Sequence, residues 1–298
     1  MTRSIGDKKL HNSYTSPRYT SSKWHNNSLL LQYLMNISAR KIQDFQQTVL
    51  DRYAQHKRDL PRRQTINPYE IWVSEIMLQQ TQVDRVIPKY LHFLQLFPTI
   101  QTLAQGDKSQ LLTARSGLGY NSRALNLQKA AQIIMHEYGG TVPNTIEQLK
   151  KLPGIWPYTA GAICAFAFNQ EVPVVDINIK RVLIHTFGLH ETISSKELET
   201  IALQCIPKGK SCERYNALMD YGSSVLTSKK TGIKSAKQST FQWSQRQVRG
   251  NIIKYLTKHG KLSASEAKKI FPHDDFDVIL EKMTRDWLVL VHDGVIWL

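Results

Sequence analysis

Cysteine, acidic residues and long apolar runs are what this sequence has least of. Its three cysteines, Cys164, Cys205 and Cys212, are too few and odd in number for a disulfide framework. They suit a reducing compartment, and each reads as a small buried apolar residue. No apolar run approaches the roughly 18 residues that a membrane helix needs, so a membrane partner is not expected. The shortage of acid leaves a formal net charge of +15. Between Asp220 and Glu266 there is no acidic residue, whereas Lys229, Lys230, Lys234, Lys237, Arg246, Arg249, Lys254, Lys258 and Lys261 all fall there. A basic block of this kind favours a polyanionic partner, because Lys and Arg displace condensed counterions from phosphates.

At 298 residues the length suits two domains better than one. Residues 1–36 open with a Ser-, Thr-, Asn- and Lys-rich stretch without apolar period, which reads as a disordered tail. A transit peptide shares that composition, and Met35 is a second candidate start. From Ile37 onward the apolar spacing is helical: Ile42, Phe45, Val49 and Tyr53 mark one amphipathic helix. Asn67-Pro68-Tyr69-Glu70 combines a cap residue, a proline at the first helical position and an acid in the first turn, so IWVSEIMLQQTQV is predicted to be helical. YLHFLQLF, RALNLQKAAQIIMHEYGG and TIEQLKKL predict further helices, and residues 37–225 read as an all-α domain. Residues 226–243 read as a basic linker. Residues 244–298, three helices and a terminal β pair around Asp293-Gly294, read as a winged-helix-like domain.

Three places carry potential chemistry. Glu75 lies among Trp72, Ile76, Met77 and Leu78; desolvation there would raise its pKa and suit a general acid, while an ion pair with Arg85 or Arg63 is the ordinary alternative. Asp176 stands where the helix INIKRVLIHTF begins, so free N–H groups and the helix dipole are expected to hold it ionised. Most aspartates in such a place are simple N-caps. An acid with a raised pKa beside one with a lowered pKa is a combination used to cleave glycosidic bonds. The third place is LPGIWPYTA, residues 152–160, whose glycine permits close backbone approach and whose following helix offers free N–H groups to a phosphate. Its alternative is a plain turn between two helices.

Taken in order, LPRRQTINPYEIWVSEIMLQQTQVDRVIPKY, GLGYNSRALNLQKAA, LPGIWPYTAGAI, VVDINIKRVL and YNALMDYG resemble the helix-hairpin-helix DNA glycosylases, and within them the MutY-type adenine glycosylases. The resemblance covers about residues 40–225; MLQQTQV and GLGY point to the adenine branch, whereas LPG with a downstream aspartate marks only the superfamily. It implies an all-α fold of two helical subdomains and a monofunctional glycosylase of base excision repair, removing adenine mispaired with 8-oxoguanine or guanine by base flipping.

Residue by residue, the resemblance makes Glu75 the acid that protonates N7 of adenine and Asp176 the carboxylate that stabilises the cationic sugar. Tyr158 stands beside that aspartate, and Asn178 positions it. Gln80 and Tyr120 are wedges into the duplex with Leu118 beside them, and Arg63 is a base-pocket arginine. Gly154 and Trp156 belong to the DNA-clasping hairpin, where relatives usually have glycine at the place of Trp156. That indole either lies against the sugar-phosphate backbone or packs on the protein side. A lysine at the position of Tyr158 gives the related endonuclease III enzymes strand-nicking activity; tyrosine does not.

Three departures qualify the resemblance. The four cysteines that hold an iron-sulfur cluster in most relatives are absent from SSVLTSKKTGIKSAKQS, so no cofactor is expected beyond a monovalent cation at the hairpin, and Lys229 and Lys230 are candidates to contact phosphate instead. The long C-terminal domain that reads 8-oxoguanine has no counterpart. Ile177 replaces a usual glycine and Arg62 a common tryptophan. A monomeric, cytoplasmic, nucleoid-associated protein acting on double-stranded DNA is expected. A thymine or uracil mismatch glycosylase of the same fold and a non-catalytic DNA-binding module are the alternatives.

Overall fold

A computed structural model describes residues 37–114, 121–234 and 240–298. The tail, Leu118 and Tyr120 lie outside the described residues, as does the centre of the expected linker.

The helices begin where local chemistry says they should. α1 (Ala39–His56) is capped by Ser38. A single 3-10 turn, Pro61–Arg63, leads to α2 (Pro68–Leu78), where the Asn67 side chain accepts from the Tyr69 N–H and Pro68 opens the helix. Then follow α3 (Val83–Leu96), α4 (Ile100–Gln105), α5 (Lys108–Ala114) and α6 (Asn121–Glu137). The segment expected as one helix through Gln80 is broken: Gln80 adopts φ +58, a left-handed conformation that ends α2 and turns the chain into α3. TIEQLKKL contributes only one helical turn, α7 (Ile146–Leu149), before the hairpin. α8 (Pro157–Phe168), α9 (Ile177–Phe187), α10 (Ser195–Gln204), α11 (Ser211–Ser224) and the short α12 (Ser228–Thr231) complete the helical part.

Two apolar cores organise these helices. One gathers α2 through α7 with one side of α8, including Trp72, Phe93 and Leu127; the other gathers α1, α9, α10 and α11 around Phe45, Val182 and Leu218. α8 serves both: Ala160, Ile163 and Cys164 face the first core, and Ala162, Ala165 and Phe166 the second. This explains why α8 is apolar all round instead of amphipathic. The seam between the two cores is where a cleft forms.

Residues 226–243 depart from a free linker, because Leu226 and Ile233 are buried in the second core. The C-terminal module comprises α13 (Gln245–His259), β1 (Lys261–Ser263), α14 (Ala264–Ile270), α15 (Phe276–Arg285), β2 (Leu290–His292) and β3 (Val295–Trp297). Its strands pair antiparallel in the order β1-β3-β2, with Leu262 opposite Ile296 and Val291 opposite Ile296 on the other side. Val248, Ile252, Ile279 and Leu288 of this module join the same continuous apolar cluster as α2 through α8. The expected separate domain is therefore packed onto the first subdomain.

Candidate active site

Glu75 is buried on α2, on a helix whose residues Ile71 through Met77 are all buried. Burial pushes its carboxyl above the ordinary glutamate range; the Arg62 guanidinium opposes this and the Asp176 charge adds to it. Arg62 Nη1 lies 3.2 Å from Glu75 Oε1, while Nη2 donates to Asn216 Oδ1 at 3.3 Å and the guanidinium sits 5.3 Å from the Phe166 ring centre.

Asp176 caps α9: Oδ1 accepts the Ile179 N–H at 2.7 Å, and Oδ2 accepts Asn178 Nδ2 at 2.8 Å. These bonds favour the anion, as the N-cap position predicts, but burial outweighs them and the carboxyl stands above the ordinary aspartate range. The expected contrast of one raised and one lowered carboxyl is thus corrected. Both are raised, and they differ in what each touches: Glu75 meets a single guanidinium, whereas Asp176 holds two N–H donors suited to its ionised form.

Asn178 is itself held. Its Oδ1 accepts from Arg181 Nη1 at 3.2 Å, and Arg181 also donates to the carbonyls of Gly222, at 3.2 Å, and Ile233, at 3.1 Å. Gly222 permits this closeness, since a Cβ there would lie 2.7 Å from the Asn178 carbonyl oxygen. Neither Arg181 nor Gly222 stands out in the sequence.

An open cleft of about 1530 Å³ receives Glu75, Asp176, Asn178 and Tyr158 together. Burial and the charges of Glu75 and Asp176 all push the Tyr158 hydroxyl well up, so it is a neutral phenol near both carboxyls. Gln80, Gly154 and Trp156 line the same cleft. Gln80 is presented by a fastened turn: Gln79 donates to Thr159 Oγ1 at 3.1 Å, and its carbonyl accepts from Arg123 at 2.6 Å. Gly154 needs its φ of +78, and its missing Cβ leaves room for Asn126, which a Cβ would approach to 3.0 Å. Trp156 is 71% exposed, which removes the alternative that it packs on the protein side.

Three expected site residues lie elsewhere. Arg63 is not a cleft residue; both its terminal nitrogens are held by Asp220, at 2.7 and 2.8 Å, and Arg62 enters the cleft in its place. Lys229 and Lys230 are exposed on α12 and do not line the cleft.

The residues here do not fit an iron-sulfur cluster. The loop after α11 has no cysteine and is tied down through the Ile233 carbonyl. Cys164 and Cys205 are buried in different cores, their thiols pushed up by burial to about 11 and about 12. Among the described residues no group of three or more His, Cys, Asp and Glu side chains gathers to hold a metal ion, and no helix is long and apolar enough to cross a membrane.

The HhH-GPD superfamily base excision DNA repair protein family matches residues 73–208. An adenine DNA glycosylase of Buchnera aphidicola subsp. Baizongia pistaciae is 41% identical over 186 residues, 61% of this chain and 52% of that protein. The adenine DNA glycosylase of Mycolicibacterium smegmatis is 33% identical over 232 residues, covering 70% of this chain and 78% of its own length. A solved thermostable thymine-DNA glycosylase superposes with a TM-score of 0.60 at 28% identity, over 65% of this chain and 92% of that one. The chain spans about half or less of the length of several of the adenine DNA glycosylases it matches. Its sequence, its two-core helical fold and its carboxylate-lined cleft agree: the chain belongs to the adenine DNA glycosylase family of the HhH-GPD superfamily of base excision DNA repair proteins.

Proposed function

We propose that the protein is a monofunctional DNA glycosylase that hydrolyses the N-glycosidic bond of adenine mispaired with 8-oxoguanine or guanine. The observation that carries this reading is the meeting of Glu75 and Asp176 in one cleft, where the Asp176 charge adds to the burial that raises the Glu75 pKa and both carboxylates push up the Tyr158 hydroxyl.

A base inside the duplex is out of reach of any carboxyl, so the adenosine swings out of the stack into the cleft, and Gln80 and Trp156 stand at its lining to fill or brace the gap. Arg62 engages Oε1 of Glu75, leaving Oε2 for the proton that burial favours. Glu75 gives that proton to N7 of adenine. The C1′–N9 bond then breaks with its electron pair leaving on the base, and the cationic sugar is stabilised by the Asp176 carboxylate, which Asn178 and the Ile179 N–H hold in place. Water adds to C1′ and its proton returns to Glu75, leaving an abasic site and free adenine. No step calls for a metal or redox group. Tyr158, kept as a neutral phenol, has no amine with which to form a Schiff base, which supports hydrolysis without strand nicking. One cleft contains every group the reaction uses, which supports action as a monomer on double-stranded DNA.

The test is a panel of duplexes carrying A opposite 8-oxoguanine, A opposite G, T opposite G and U opposite G, incubated with the protein and then treated with alkali. Cleavage confined to the adenine strands is expected. Cleavage at T or U would replace this reading with a pyrimidine mismatch glycosylase, and binding without any alkali-labile site would replace it with a non-catalytic binder.

A further inference from the structure

Phe241 and Trp243 are large apolar side chains left 59% and 74% exposed, immediately before Ser244, Gln245 and Arg246, which line the cleft from the C-terminal module. Trp243 is held at φ +58, a conformation that a bulky residue rarely adopts. The turn is fastened around it: the Trp243 N–H donates to Gln247 Oε1 at 2.6 Å, and Ser244 Oγ donates to the Phe241 carbonyl at 2.6 Å. Gln245 ties the start of α13 to Asp275 at 2.8 Å. The indole is therefore displayed, at a cost in backbone strain, on a rigid support whose apolar side, Val248 and Ile252, is sunk in the first core.

The surroundings select the occupant. No acid falls between Asp220 and Glu266 in the sequence; Arg246 follows Trp243 into the cleft lining and Lys254 and Lys258 lie further along α13, while Arg249 is paired with Asp286 at 2.7 Å. An exposed indole on a basic edge, continuous with a cleft built to receive a flipped nucleotide, suits the π-face of a nucleobase better than it suits another protein's carboxylates. We infer that Trp243 is a DNA-contact residue supplied by the C-terminal module, stacking on a nucleobase of the distorted duplex at the cleft rim. This rests on the proposed function only in that the cleft receives DNA.

The experiment is a titration of an uncleavable duplex, carrying a tetrahydrofuran abasic analogue opposite 8-oxoguanine, with the full chain and three variants: Trp243→Ala, Trp243→Gly and Trp287→Ala. Trp287 is likewise exposed and held at a positive φ, +59, but it packs toward Lys129 and neither of its sequence neighbours lines the cleft, so it serves as a control. Both Trp243 variants are expected to bind about 5- to 100-fold more weakly, the range for losing one base–aromatic stack. Their dependence of affinity on salt should match that of the unmodified chain, because stacking releases no counterions. Trp243→Gly, which relieves the positive φ, should melt no lower than Trp243→Ala, so weaker binding by that variant is not a folding defect. Trp243 variants that bind within about twofold of the unmodified chain, or that lose salt dependence along with affinity, would overturn the inference while leaving the glycosylase reading intact. A full-length chain that binds no duplex at all would overturn both.

Discussion

Arg62 Nη1 lies 3.2 Å from Glu75 Oε1, so the proposed proton donor of this cleft is paired with a cation from the adjoining 3-10 turn. The pairing works against burial. Burial favours the protonated carboxyl, and the guanidinium favours the ionised one. An acid that must be protonated to act loses activity as pH rises through its pKa. Removing the cation in Arg62→Gln raises that pKa, so the descending limb of the single-turnover rate against pH should move to higher pH. A limb that stays in place in that variant would show that Glu75 does not set it.

Arg181 is hydrogen-bonded to Asn178, which in turn bonds Asp176, and this makes it a positioning residue. Arg181→Gln removes both the hydrogen bond that orients Asn178 and a charge that lowers the Asp176 pKa. The rate constant for excision should fall about 10- to 100-fold, the loss typical of a small displacement of a reacting group. Asp176 must be ionised to act, so the ascending limb of the pH profile should also move to higher pH, and Arg181→Lys, which keeps the charge, should move it less. A loss of active protein with an unmoved limb would reduce Arg181 to a purely structural tie between α9, α11 and the Ile233 loop.

Asp220 is the opposite electrostatic case. Although burial works to raise its pKa, hydrogen bonds and charge from Arg63 and Arg58 outweigh this and hold the carboxyl below the ordinary aspartate range. A carboxylate with a depressed folded pKa contributes stability that is present above its unfolded pKa and lost as pH falls through the folded one. Asp220→Asn should cost about 3 kcal/mol at neutral pH, because two guanidinium groups lose their countercharge. Denaturant melts should show that difference shrinking as pH falls below the ordinary aspartate range. A difference that persists at low pH would mean that packing, and not charge, is what Asp220 supplies.

Tyr158 is buried near both carboxyls, where burial would favour the neutral, nucleophilic amine of a lysine against the pull of Glu75 and Asp176 on its charged form. Tyr158→Lys should therefore gain the ability to condense with C1′ of the abasic sugar, expelling water, and borohydride should reduce the resulting imine to a stable protein–DNA adduct. The unmodified chain should give no such adduct. Trapping by the unmodified chain would contradict hydrolysis by water alone.

The parts of this site that depend on neighbours in sequence are legible in the sequence itself. Asp176 was legible because a cap is a local device, and Glu75 because its apolar flanks announce burial. Arg62 and Arg63 were not separable. In a three-residue turn adjacent side chains diverge by about a third of a revolution, and only the distant Asp220 decides which arginine is held outside the cleft. Arg181 and Gly222 were hidden for the same reason: their hydrogen bond joins α9 to α11 across 41 positions. The C-terminal module shows the limit for folds. The spacing of Val248, Ile252 and Leu256 reveals an apolar face, but not that it shares a core with Trp72 and Phe93. The break at Gln80 leaves no mark in MLQQTQV, which has no glycine or proline.

The most direct test of the account is single-turnover release of free adenine from a duplex carrying A opposite 8-oxoguanine, compared between the unmodified chain and Glu75→Gln. The account predicts adenine release by the unmodified chain with the sugar-phosphate strand intact until alkali is added. In Glu75→Gln it predicts a rate at least about 100-fold lower, the contribution expected of a positioned general acid, with duplex affinity retained. Release of adenine by Glu75→Gln at the unmodified rate would contradict it.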